Sequence, residues 1–218
     1  MTTIQTTCKK CGNCCRKGGP ALHVQDLPLV KSGKIPMNAL ITIRKGELAD
    51  NPISNKIQSV AVELVKIIGA GRQWDCCYYD ETGGCTIYDH RPHACRVLKC
   101  WDTEEILALV EKDTLSRFDI LEPDDPLIPV IKEHERICPC NDLQDVLANF
   151  GSLSEKQKKD LEKRVRDDLR FRTRIIADYQ LKLSMELFCF GRPFFQLLQA
   201  LGVKVSESRS GVELRWDK

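Results

Sequence analysis

No apolar run in this chain approaches the roughly 18–20 residues that cross a bilayer, and the best stretch, residues 60–70, is broken by Glu63 and Lys66. The first seven residues lack a basic stretch, an apolar stretch and a small-residue cleavage site, so no secretory leader is expected. Charge of one sign is lacking too. A formal net charge of +2 with 29% charged residues gives no global attraction to nucleic acid or to an anionic membrane. There is no internal repeat and no low-complexity tract. The G-x-G-x-x-G turn that would support a nucleotide or S-adenosylmethionine site is missing, because Gly69 and Gly71 follow an apolar segment read as a helix. These absences predict a soluble, cytoplasmic protein with no membrane partner. With 42% hydrophobic residues in 218, the chain can still bury a core.

What the chain has is cysteine, twelve in all. Cys8, Cys11, Cys14 and Cys15 form C-x2-C-x2-C-C, and Cys76, Cys77, Cys85, Cys95 and Cys100 follow in a second stretch. In a reducing cytosol, clustered thiols are metal ligands or redox groups more often than structural bridges. Three thiolates at two-residue intervals can all turn inward when a loop curls round one object, as such runs do round three irons of a cubane cluster. Structural zinc instead takes two ligands from one knuckle and two from another. The ferredoxin-type fourth cysteine is absent, since Lys17 and Gly18 stand where it would be, so the remaining ligands must come from residues 76–100. Neighbouring side chains point apart, and neither Cys14 with Cys15 nor Cys76 with Cys77 is expected to share one mononuclear ion. The sulfurs divide into two four-thiolate zinc sites or one [4Fe–4S] cubane with spare thiols, and spacing does not choose between zinc and iron.

Other residues near these motifs have weaker signals. Lys9, Lys10, Arg16 and Lys17 either favour thiolate over thiol or form a solvated rim. His90 and His93 beside Cys95 are secondary ligand candidates, while His23 and His134 stand alone and read as structural. Cys138 and Cys140 are spaced too closely for a zinc knuckle, and Cys189, between Phe188 and Phe190, reads as core.

The run Cys8-x2-Cys11-Gly12-x-Cys14-Cys15-Arg16, followed by Cys76, Cys85-Thr-Ile-Tyr88 and Arg91-Pro92-x2-Cys95-Arg96, resembles the CxxCxxCC (YkgJ-type) cysteine cluster family of zinc- or iron-chelating proteins. The resemblance covers roughly residues 8–100 and implies that Cys8, Cys11, Cys14, Cys15, Cys76, Cys85 and Cys95 gather into the chelating site, to which we add Cys100. Cys77, Cys138 and Cys140 fall outside the pattern. The family also brings in flagellin lysine N-methylase, a weaker analogy, because membership does not transmit an activity. A radical enzyme would resemble C-x3-C-x2-C, and Cys8 to Cys14 is one residue short of it. The expected function is metal chelation, structural or electron-carrying, with zinc or iron as cofactor; the alternative is a metal-dependent enzyme, methylase-like or redox.

Periodicity organises the rest. Apolar residues at Ile57, Val60, Ala61, Leu64, Val65 and Ile68 predict an amphipathic helix over residues 54–68. Residues 38–44 predict a brief strand and residues 26–30 a short helix, and Thr103 is a plausible N-cap for a helix to about Lys112. Pro123, Pro126 and Pro129 predict an extended chain ahead of a short helix over residues 141–150. Ser154 and Gln157 form a capping box opening a helix of some 30 residues. Gly191 ends it, Pro193 opens another helix, and residues 203–216 read as a terminal hairpin. The expected fold is mainly α with minor β, irregular cysteine-rich loops packed on helices, divided into a metal-binding domain (1–150) and a helical segment (151–218). The C-terminal helices offer a surface for a protein partner. Nucleic-acid binding through the basic residues between Lys156 and Arg174 is not expected, because six acids interleave from Glu155 to Asp178.

Overall fold

The computed structural model describes residues 5–208 and 211–216. In chain order the elements are α1 (Leu27–Lys31), β1 (Leu40–Ile43), β2 (Leu48–Asn51), β3 (Lys56–Ser59), β4 (Leu64–Ile67), β5 (Gly69–Ala70), β6 (Asp75–Cys76), β7 (Tyr79–Asp80) and β8 (Gly84–Cys85). They continue with α2 (His93–Val97), α3 (Glu104–Ala108), α4 (Arg117–Ile120), α5 (Leu127–Ile137), α6 (Leu143–Ala148), α7 (Glu155–Asp178), α8 (Leu183–Phe190), α9 (Phe194–Gln199), β9 (Lys204–Ser208) and β10 (Gly211–Arg215). The mainly α expectation is corrected: the molecule is 43% helical and 17% strand with five small antiparallel sheets, a mixed α and β fold. The hairpin of β9 and β10 pairs Lys204 with Arg215, while its turn at 209–210 lies outside the described residues.

The largest correction falls on residues 54–68. Instead of one helix the chain makes two strands, β3 paired with β2 and β4 paired with β1. The turn chemistry before β3 decides this: Asn51 Oδ1 accepts from the Ile53 and Ser54 amides at 2.8 and 3.0 Å, and Asn55 sits at φ 51°. Once that turn closes, Ile57 is 44% exposed, whereas Val65 and Ile67 are buried in the pairing with β1. The prolines also mislead. Pro126 stands at the N-cap of α5 and Pro129 lies within its first turn, where the missing N–H has no intrahelical partner to lose, so a helix forms where an extended chain is expected. The long helix is capped as expected, with the Gln157 amide donating to Ser154 Oγ at 3.3 Å, but α7 stops at Asp178 and α8 starts afresh at Leu183.

Burial explains why these elements hold. Every residue of β1 is buried, and α8 packs across it with Thr42 Oγ1 donating to Phe188 O at 2.6 Å. The first apolar cluster joins Leu22, Leu40, Val65 and Ile67 to Phe171, Ile175 and Phe188 through Phe190. Each such side chain contributes about 1.5–3 kcal/mol on burial. A second cluster joins Leu48, Leu143 and Val146 to Leu161, Val165, Phe194 and Leu197. Cys189 lies in the first cluster, fully buried, in agreement with its reading as core. The main ladder runs directly into the cysteine region: Ile67 pairs with Leu40, and two residues on Gly69 pairs with Cys76.

Candidate metal centre

The first cysteine loop is closed by contacts that its sequence makes possible. Gly12 has φ +76°, and a Cβ there would sit 2.3 Å from the Tyr79 ring, so only glycine lets the loop turn and approach β7 at this point. The Arg16 amide donates to Gly12 O at 3.0 Å, opening a single 3-10 turn over Cys15–Lys17 that packs on β6. Two cation–π contacts pin the loop to the second motif: Arg16 lies 5.1 Å from the Tyr79 ring centroid and Lys10 Nζ lies 4.2 Å from that of Tyr88. Arg91 stacks on Tyr88 at 3.6 Å and donates from Nε to Tyr88 O, so its guanidinium serves ring and carbonyl.

On the other side, β6 delivers Cys76, β8 delivers Cys85 opposite Tyr79, and α2 delivers Cys95. Helix α2 is positioned by Asp26, fully buried, whose carboxylate accepts from the His93 amide at 2.7 Å and the His23 amide at 3.0 Å. His93 meets His23 edge-on at 5.9 Å, His23 Nδ1 lies 2.9 Å from Lys112 O, and His90 Nδ1 lies 3.5 Å from Lys34 Nζ.

Five sulfurs thus share one electrostatic neighbourhood. Burial pushes the Cys15 thiol up to about 12, helped by Cys14, Cys76 and Cys85. Burial likewise raises Cys95 to about 12, followed by Cys76, Cys14, Cys15 and Cys85. Cys76 is raised by burial and by Cys85 and Cys14. Cys77 is raised to about 11 by burial and then by Cys76 alone among the sulfurs. All twelve cysteines are free thiols. Mutually repelling sulfurs are the donor set that a thiophilic cation neutralises, so these residues fit zinc or iron.

Cys8, Cys11 and Cys100 are held differently. All three are exposed; Cys8 Sγ accepts from the Lys10 amide at 3.4 Å, and Cys100 Sγ accepts from Gln5 Nε2 at 3.5 Å. The strip leading to Cys8 therefore runs beside Cys100. Among the described residues no three of the cysteine sulfurs lie within 4.8 Å of one another. Zinc–sulfur bonds of about 2.3 Å would bring the sulfurs of one site closer together than this.

Sequence reasoning missed a second cluster. The ligating atoms of His134, Cys138 and Asp168, all buried, lie within 4.8 Å of one another. His134 comes from the last turn of α5, Cys138 from the residue that caps its C-terminus and Asp168 from the buried face of α7, a juxtaposition no local spacing reveals. Its carboxylate is already engaged: Asp168 Oδ1 accepts from His134 Nε2 at 2.6 Å and Arg172 Nε at 2.8 Å, and Oδ2 accepts from the Phe194 amide at 2.8 Å. Arg172 and Arg44 also bear on His134 electrostatically, so a further cation would meet two guanidinium groups. The cluster is an interior charge network. Cys138 and Cys140 belong to its edge, where Arg44 donates to Cys138 O at 2.8 Å.

No match was found among curated proteins or solved structures. Residues 7–114, which span both cysteine segments, match the CxxCxxCC family, described as a "putative zinc- or iron-chelating domain". Through this cysteine-bearing stretch the chain belongs to the CxxCxxCC family.

Proposed function

We propose that the protein holds zinc or iron in a thiolate centre whose nucleus is Cys14, Cys15, Cys76, Cys85 and Cys95, with Cys8, Cys11 and Cys100 completing the donor set. The observation that supports this is the convergence of those five sulfurs from four separate pieces of chain. Eight thiolates divide into two sets of four, the number a closed structural site takes. On this reading the metal cross-links the N-terminal loop to the β6–α2 region. Its role is structural, since residues 5–18 bury little besides Gly12 and gain their order from what they bind. A metal-dependent redox enzyme is the second reading, favoured by the exposure of Cys8, Cys11 and Cys14, which leaves the centre approachable from solvent.

Metal content across a set of single substitutions tests the proposal. Cys14→Ser, Cys15→Ser, Cys85→Ser and Cys95→Ser are expected to lower bound metal and solubility together. Cys77→Ser and Cys189→Ser are expected to leave metal content nearly unchanged. Full metal in Cys95→Ser would place the centre elsewhere, and a variant that keeps its metal and stability while losing an activity would favour the enzyme.

A further inference from the structure

One buried carboxylate joins the core to the helix that carries Cys95. On the core side, His23 is held by strand-like pairing: it bridges Thr114, and the amides of Leu22 and Val24 donate to Val65 O and Asp113 O at 2.8 Å each. Asp26 Oδ2 accepts from the His23 amide at 3.0 Å. The other oxygen, Oδ1, accepts at 2.7 Å from the His93 amide, the first of α2, and Arg96 Nη2 lies 3.9 Å from the same atom. Asp26 is fully buried, so both bonds are made where water does not compete. Helix α2 has little else to fix it. It runs for five residues, buries only Ala94, and follows Pro92, which has no N–H of its own. The first amide of a helix has no partner within that helix, so the direction in which α2 leaves Pro92 follows the oxygen that receives this amide. Two residues on stands Cys95, the sulfur that α2 brings to the centre.

We propose that Asp26 is a positioning residue for the metal centre: its carboxylate ties the first amide of α2 to the core, and this tie holds Cys95 where a zinc or iron ion shared with the other sulfurs is bound tightly. The inference rests on the chelation reading and deepens it. A ligand on a loosely held helix has to be ordered when the metal arrives, and that ordering is subtracted from the affinity; a tie already made removes the cost. Replacing the carboxylate by an amide leaves one acceptor oxygen for two backbone donors. The NH2 group then faces an N–H that it cannot accept from.

The test breaks the tie from each end in the full chain. Asp26→Asn alters the acceptor. His93→Pro deletes the donor at a position where proline suits a helix, since Pro92 before it is already extended at ψ 157°, and His93→Ala removes the ring while keeping the amide. Asp119→Asn is the control for lost capping alone: Asp119 Oδ2 accepts from the Ser116 amide at 2.8 Å to cap α4, which carries no cysteine. Affinity for zinc, and anaerobically for ferrous iron, is measured by competition with a chromophoric chelator, and melting is recorded with and without metal. Asp26→Asn and His93→Pro are each expected to bind metal about 10–100-fold more weakly, so that metal raises their melting temperature by less than it raises the parent's. The double variant should bind no more weakly than the weaker single one, because both changes remove one contact. His93→Ala and Asp119→Asn should keep the parent's affinity. The two His93 variants leave the carboxylate in place, so their comparison stands whatever Asp26→Asn does to folding. If His93→Pro binds metal as tightly as His93→Ala, the proposal is overturned while chelation stands. Additive losses in the double variant also overturn it. Failure of the parent to bind either metal removes the chelation reading and this inference with it.

Discussion

His134 shows how much one side chain can carry in a neutral form. Burial holds its imidazole down at about 4, against the pull of the Asp168 hydrogen bond, while the same contact and Arg172 keep Asp168 at about 2 despite its own burial. The unfolded chain takes up a proton on this histidine near its ordinary value of 6.5 and the folded chain does not until about 4. Stability that is fully present above pH 6.5 is therefore lost as pH falls toward 4, by on the order of 3 kcal/mol. Asp168 adds a second loss below its ordinary 3.8, toward 2. Urea unfolding at a series of pH values should show the first slope in the parent and a flatter one in His134→Asn. The lone histidine in the sequence was legible as structural, but its partner was not, because Asp168 lies 34 residues away on another helix.

At the scale of elements, the site depends on short, weakly apolar pieces whose placement is set by single contacts. Gly12→Ala illustrates this. The added Cβ would meet the Tyr79 ring at 2.3 Å on a backbone at φ +76°, so the first loop cannot close on β7. Metal content is expected to fall by more than half, with little change in the helical far-ultraviolet signal, because α7 to α9 lie in other contacts; unchanged metal would show that the loop closes another way. The cysteine spacing was readable because thiolate chemistry acts over a few residues, and so were the Ser154 cap and the terminal hairpin, whereas Gly191 ends α8 and not the long helix, which stops at Asp178. Residues 54–68 were not. Their apolar positions suit a helix, and Asn51 and Asn55 had to be weighed as a turn before the same residues could be seen as two strands. Helix α5 was hidden by Pro126 and Pro129, which break a helix interior but start one comfortably.

Across the whole molecule the two apolar clusters tie the family domain to the C-terminal helices. Phe171, Ile175 and Phe188 complete the core beneath β1 and β4, and Arg117, fully buried, pairs with Glu63 and Glu135 while donating to Cys189 O at 2.5 Å. That core is built from apolar side chains, whereas the loop of Cys8 to Cys15 is held by a handful of contacts and by whatever its sulfurs bind. Hydrogen exchange of the full chain before and after treatment with a chelator, with the released zinc or iron quantified, addresses the central claim most directly. Stoichiometric metal release is expected, with faster exchange in residues 8–15 and 76–95 and little change in α7 to α9. Release of no metal, or an equal rise in exchange across both halves of the chain, would contradict it.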